Sequence, residues 1–166
     1  MRNKPTIQPA LSSFDKTLEL AAFILLLVLW GFSCYAFLTL PFTVPVHFNI
    51  TGEVDKYGNK RILLILPALV TGIYIVLSLL IRYAHVFFNY HIAITETYAR
   101  RQYKGVTRML RFLKLSVMIV FSLAILFTYL TGKGAMRGLG SWFFPFVLAL
   151  FFVPVIVYIG QILKDK

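Results

Sequence analysis

The sequence predicts an all-α membrane protein. Four transmembrane helices are expected, with a structured extracytoplasmic loop after helix 1 and a basic amphipathic cytoplasmic helix before helix 3. Three observations carry that reading. The 166-residue chain is 59% hydrophobic and only 14% charged, more apolar than a soluble domain of that size can bury. Four stretches approach the roughly 20 apolar residues that a bilayer crossing requires. The lysines and arginines are unevenly divided between the segments that connect those stretches.

The expected spans cover about residues 20–40, 62–81, 115–131 and 142–163, and none contains Asp, Glu, Lys, Arg or His. Nothing in them conflicts with burial in hydrocarbon. Arg2, Lys4 and Lys16 precede the first span, as they would a secretory signal. Its apolar run outlasts the usual signal core of about 7–15 residues and continues through Tyr35, Ala36, Phe37 and Leu38 without a small-x-small cleavage site. An uncleaved anchor is expected. The single cysteine, Cys34, has no partner for an internal disulfide.

Net charge is +11 with a pI near 10.0. Three Lys/Arg precede span 1, seven lie in residues 82–114, and Lys164 and Lys166 end the chain. The other connections hold five: Lys56, Lys60, Arg61, Lys133 and Arg137. Twelve against five predicts both termini in the cytoplasm of a bacterial inner membrane. Topology and anionic lipid account for the basic balance, so no nucleic-acid partner is expected. No repeat or linker divides the chain, and residues 1–166 read as one integral membrane domain with an outer loop at 41–60.

That loop concentrates the polar chemistry. Pro41 closes the first helix, and Pro45 biases Val44 toward extended backbone. From Thr43 to Thr51 apolar and polar residues alternate, which predicts an extended segment with Val44, Val46, Phe48 and Ile50 on one face. His47 and Asn49 take the other, and Gly52 and Gly58 mark turns. The ligand-binding or loop-fixing candidates are His47, Asn49, Glu53, Asp55 and Lys60. The Gly52 turn is expected to fold Asp55 back onto His47. A structural zinc site normally has four ligands, and neither a cysteine nor a second histidine joins this set, so no metal or cofactor is expected. No nucleophile elbow or His-Glu-x-x-His pattern occurs, and the chain is expected not to be an enzyme. Two competing readings are a metal-dependent or His/Asp-using membrane enzyme at the outer interface, and a small transporter subunit acting as an oligomer. The absence of ionisable groups within the spans argues against the second.

On the other side, Thr95 and Glu96 open a helix. Ala99, Tyr103, Val106, Leu110 and Leu113 then recur at helical spacing. Arg100, Arg101, Lys104, Arg108 and Arg111 fall on the opposite face and are the lipid-headgroup candidates, with anionic headgroups as the expected partner. For the outer loop, a protein or peptide partner is expected. Pro67, Pro145 and Pro154 are expected to kink their helices, while Ser33, Thr71, Gly72 and Ser116 suit close helix approach and an oligomer.

The run Leu40–Lys60, "LPFTVPVHFNITGEVDKYGNK", resembles the signature of a bacterial membrane domain of unknown function. That domain is shared with immunity proteins against the sporulation-delaying toxin. The matching positions are Leu40-Pro41, Val44-Pro45, His47-Phe48-Asn49, Gly52-Glu53-Val54-Asp55 and Tyr57-Gly58-Asn59-Lys60. The run "FNYHIAITETYARRQYKGVTRML" is similar to the segment that follows span 2 in short members. Phe42 stands where that family often has an acid, His91 where proline is common, and the immunity members are longer. The resemblance implies the fold and the loop placement. The roles it suggests are toxin immunity, envelope sensing or service to a larger membrane assembly.

Overall fold

The computed structural model describes residues 11–84 and 96–164. Its elements run α1 (Ser13–Thr39), β1 (Thr43–Phe48), β2 (Val54–Asn59), α2 (Ile62–Arg82), α3 (Glu96–Gly132) and α4 (Phe143–Lys164). Among the described residues, four helices are long and apolar enough to cross a membrane. They contain the four stretches read from the sequence except the end residues Leu40 and Trp142.

Two of the helices outrun their apolar stretches. α1 begins at Ser13, several residues before Leu20, because Ser12 caps it. The Ser12 hydroxyl accepts from the Asp15 amide at 3.2 Å, and the Asp15 carboxylate accepts from the Ser12 amide at 3.2 Å. This reciprocal box satisfies two amides that the first turn cannot pair internally. α1 ends where proline dictates: Leu40, the residue before Pro41, is already extended at ψ 152°. α3 runs unbroken for 37 residues, so the basic segment and the third span are one helix.

α1 buries Ala22, Leu26, Leu29, Ser33 and Ala36, one stripe at alternating spacings of four and three. Leu63 and Val70 of α2 and Val117, Met118 and Ile125 of α3 close the core against it. Small residues at 22, 33 and 36 let the backbones approach, as packing within a bilayer requires. Across α1 and α2, Trp30 Nε1 donates to Thr71 Oγ1 at 3.0 Å. α4 has no buried residue of its own and packs chiefly on α3. There Pro154 lacks the amide that would have paired with the Leu150 carbonyl. Ser116 Oγ of α3 lies 2.9 Å from that carbonyl oxygen and 2.9 Å from its own Phe112 carbonyl, so its one hydroxyl hydrogen is shared between the helix and the interface.

The amphipathic expectation for residues 96–114 is corrected on one point. The side of α3 turned to the bundle carries Val106, Thr107, Arg111 and Lys114, all at most 6% exposed. Leu110 and Leu113 are only partly buried. Beside a membrane, apolar side chains lose nothing by facing lipid, so the polar face is the one driven against protein.

Candidate functional site

Polar side chains gather at the two ends of the bundle. At one end the chain between α1 and α2 forms a hairpin rather than the single extended segment expected. β1 and β2 pair antiparallel, with Thr43 opposite Asn59, Val44 opposite Gly58 and Phe48 opposite Val54. The register shifts around Val46, between Pro45 and His47. That irregularity breaks the strict alternation: Pro45 joins Val44 in the buried layer, while Ile50 is 70% exposed instead of facing the helices.

The turn is built by Asn49. Its side-chain oxygen accepts from the Glu53 amide at 2.9 Å and from Thr51 Oγ1 at 2.6 Å, and its own amide donates to the Glu53 carbonyl at 2.9 Å. Glu53 Oε2 takes the Asn49 side-chain amide at 3.4 Å. Gly52 adopts φ +81°, a left-handed conformation natural to glycine. A Cβ there would drive into the backbone carbonyl of Gly140. The hairpin tip is thereby pinned to the segment joining α3 and α4: the Leu139 amide donates to the Gly52 carbonyl at 2.7 Å, and Glu53 bridges to Gly138.

Lys60 is turned inward. Its Nζ donates to the Leu40 carbonyl at 3.2 Å and lies 4.8 Å from the centre of the Phe37 ring. Lys133 does the same for Thr39 at 3.1 Å. Two cations thus close the carbonyl end of α1, where its dipole is negative.

His47 and Asp55 come together as expected. His47 Nδ1–H donates to Asp55 Oδ1 at 2.6 Å across the hairpin. The two side chains remain 66% and 43% exposed, so the pair lies open at the surface and adds little to folding. The five loop candidates therefore divide. Asn49, Glu53 and Lys60 hold the fold, while His47 and Asp55 face outward. No cluster of three or more His, Cys, Asp or Glu side chains suited to a metal forms among the described residues.

At the opposite end, α1 and α3 run parallel, and complementary charges meet in register. Arg108 Nε donates to Asp15 Oδ1 at 3.0 Å and its Nη2 to Ser12 Oγ at 3.2 Å. Arg111 Nε donates to Glu19 Oε1 at 3.1 Å, with Nη1 3.9 Å from Asp15. Lys114 Nζ pairs with the other Glu19 oxygen, donates to Ser78 Oγ of α2 at 3.1 Å, and lies 4.7 Å from the centre of the Tyr74 ring. Its side chain is 1% exposed. Desolvated charges require such partners on every side. The network ties three helices together and borders a cavity of about 420 Å³ lined by Asp15, Glu19, Ser78, Arg82, Lys104 and Arg111 among others.

This corrects the assignment of Arg108 and Arg111 to lipid headgroups. Both are bonded to α1, and Arg111 is nearly buried. Arg100, Arg101 and Lys104 are exposed on α3. Lys114 was not among the candidates, because it precedes the third apolar stretch by one residue. The readable signals were Asp15 and Glu19, four apart on one helix, and Arg108, Arg111 and Lys114, each three apart on another.

Four apolar spans, a hairpin across one end and an ionic network within the other define a multi-pass integral membrane protein. Residues 24–71 match a family model described as a domain of unknown function (DUF1648). The matched region comprises most of α1, the hairpin and the first half of α2. The chain is also similar to an uncharacterized protein of Archaeoglobus fulgidus, 40% identical over 58 residues. That similarity covers 35% of this chain and 32% of the relative, so the match spans about a third of each. No solved structure matches the chain.

Proposed function

We propose that this is a non-enzymatic protein of a bacterial cytoplasmic membrane, with both termini in the cytoplasm, whose outward hairpin recognises a peptide or protein. Toxin immunity is the form of that role favoured by the resemblance at Leu40–Lys60. Envelope sensing and service to a larger membrane assembly use the same surface. The observation that carries the reading is the division of labour in the hairpin. Asn49, Glu53 and Lys60 are consumed in holding it, whereas His47 and Asp55 form a hydrogen-bonded pair left 66% and 43% exposed. Such a pair in a folded turn serves recognition better than stability, to which an exposed pair contributes little. The orientation is supported by the twelve Lys/Arg on one side against five on the other.

Two measurements test it. Thr51→Cys in a Cys34→Ser background is expected to react with a membrane-impermeant maleimide in intact cells. Reaction only after permeabilisation refutes the orientation. His47→Ala and Asp55→Ala are each expected to change stability by less than about 1 kcal/mol, while abolishing protection of the host against a membrane-inserting peptide toxin. Protection retained in both variants refutes the recognition surface. A wild-type chain that protects no better than an empty vector refutes the immunity form.

A further inference from the structure

The ionic end of the bundle is unevenly matched. Two carboxylates, Asp15 and Glu19, serve three cations there, Arg108, Arg111 and Lys114. Arg111 and Lys114 are 7% and 1% exposed, so water does little to screen the excess. The cavity of about 420 Å³ beside the network adds two further cations to its wall, Arg82 of α2 and Lys104 of α3. Both carboxylates that line it are already bonded to Arg108, Arg111 and Lys114, which leaves none for these two. Arg82 lies 5.8 Å from the centre of the Tyr83 ring, a partner without charge. Five cations thus face two acids around one hollow.

Arg111 connects the network to that hollow. It donates Nε to Glu19 at 3.1 Å, whereas its Nη1 comes no closer to Asp15 than 3.9 Å, beyond hydrogen-bond length. A nearly buried guanidinium therefore retains terminal donors for the cavity it lines. The hydroxyls of Ser78 and Tyr103 border the same space. Its level in the bundle is also defined. Arg82 directly follows the second apolar stretch, and Arg111 precedes the third by four residues, about 6 Å of helix. That places both in the roughly 5–7 Å of headgroup layer outside the hydrocarbon. Lys104 stands seven residues further out, about 10 Å, on the solvent side.

We propose that this cavity is a binding site for an oxyanion of the phosphate class, held by Arg82, Lys104 and Arg111. Guanidinium forks match the oxygens of such a group, and its negative charge offsets the surplus of cations. Bound there, it bridges the last turn of α2 to α3. The level of the cavity admits either a lipid headgroup or dissolved phosphate. This goes beyond general attraction of a basic helix to a charged surface, because the donors come from two helices and converge on one enclosed space. It is independent of the hairpin's role.

Thermal unfolding of the full chain, delipidated in a neutral detergent, tests it. Sodium phosphate is compared with sodium chloride at equal ionic strength, and phosphatidylglycerol with phosphatidylcholine of matched chains. At about a hundred times its Kd, at least one phosphate source is expected to raise the unfolding midpoint over its control by about 5–10 °C. Arg82→Gln with Lys104→Gln is expected to abolish that shift. In chloride the same variant is expected to unfold no earlier than the wild-type chain, because two like charges are gone. Lys56→Gln with Arg137→Gln, which lowers net charge equally at the hairpin end, is expected to keep the whole shift. A shift with phosphatidylglycerol alone assigns the site to a lipid headgroup, and one with sodium phosphate alone to the dissolved anion. No shift from either source overturns the proposal, as does a full shift in the Arg82 and Lys104 variant. Loss of the shift in the Lys56 and Arg137 variant reduces the effect to net charge and overturns it too.

Discussion

Replacing Lys114 with Met probes whether the ionic network or the apolar core holds the three-helix unit together. The ammonium is 1% exposed and touches the Glu19 carboxylate, the Ser78 hydroxyl and the Tyr74 ring face. Breaking a fully buried pair by removing one member costs about 3–5 kcal/mol, chiefly because the other is left uncompensated. Here Glu19 keeps Arg111 at 3.1 Å and is 32% exposed, so it is not stranded. The lost contact with Tyr74 adds about 1 kcal/mol, and burial of the methionine side chain returns a similar amount. The expected cost of Lys114→Met is therefore about 2 kcal/mol. Glu19→Gln should be worse, about 3–4 kcal/mol, because it strips the carboxylate from Lys114 and Arg111 together. The double variant should lie well short of the sum, since the partners belong to one network. Reversible unfolding in mixed micelles, followed by helical circular dichroism, measures all three, with Lys56→Met as a surface control. Strictly additive costs, or a Lys114→Met cost no larger than the control, would refute the argument that this end is held electrostatically.

Ser116→Ala is expected to cost about 1 kcal/mol in the same assay, because the Leu150 carbonyl loses its donor. In a Pro154→Ala background, where the helix amide is restored, the cost should shrink toward zero. Gly52→Ala is expected to cost more than about 2 kcal/mol, combining left-handed strain with collision against Gly140. Gly58→Ala, whose added carbon would meet the Val46 side chain rather than backbone, should cost less in thermal unfolding.

What could be read beforehand follows from how each feature is encoded. A bilayer span is written as an unbroken apolar run, so the four helices were visible in composition. The meeting of His47 with Asp55 was legible because alternation placed one and a glycine turn returned the other. β2 was not, since its residues are mostly exposed and offer no apolar period. Pairing across a hairpin depends on backbone amides, which are the same for every residue type. The Ser12-x-x-Asp15 capping box was written in the sequence and extends α1 to the level of Arg108. The destination of Arg108 and Arg111 was concealed by a habit of soluble proteins, in which a polar helical face means solvent. Once the apolar face can lie in lipid, that inference reverses.

The placement of opposite charges on α1 and α3 bears on how the chain is made. A ribosome delivers α1 and α2 to the membrane first, carrying Asp15 and Glu19 before any of Arg108, Arg111 or Lys114 has been synthesised. An insertion intermediate of two helices therefore holds these acids without the α3 partners they take in the finished bundle. Only when the third helix arrives, parallel to the first, does the network form. A nascent chain that stalls after α2 thus differs chemically from a finished one at the membrane boundary, because Asp15 and Glu19 have not yet met Arg108, Arg111 and Lys114.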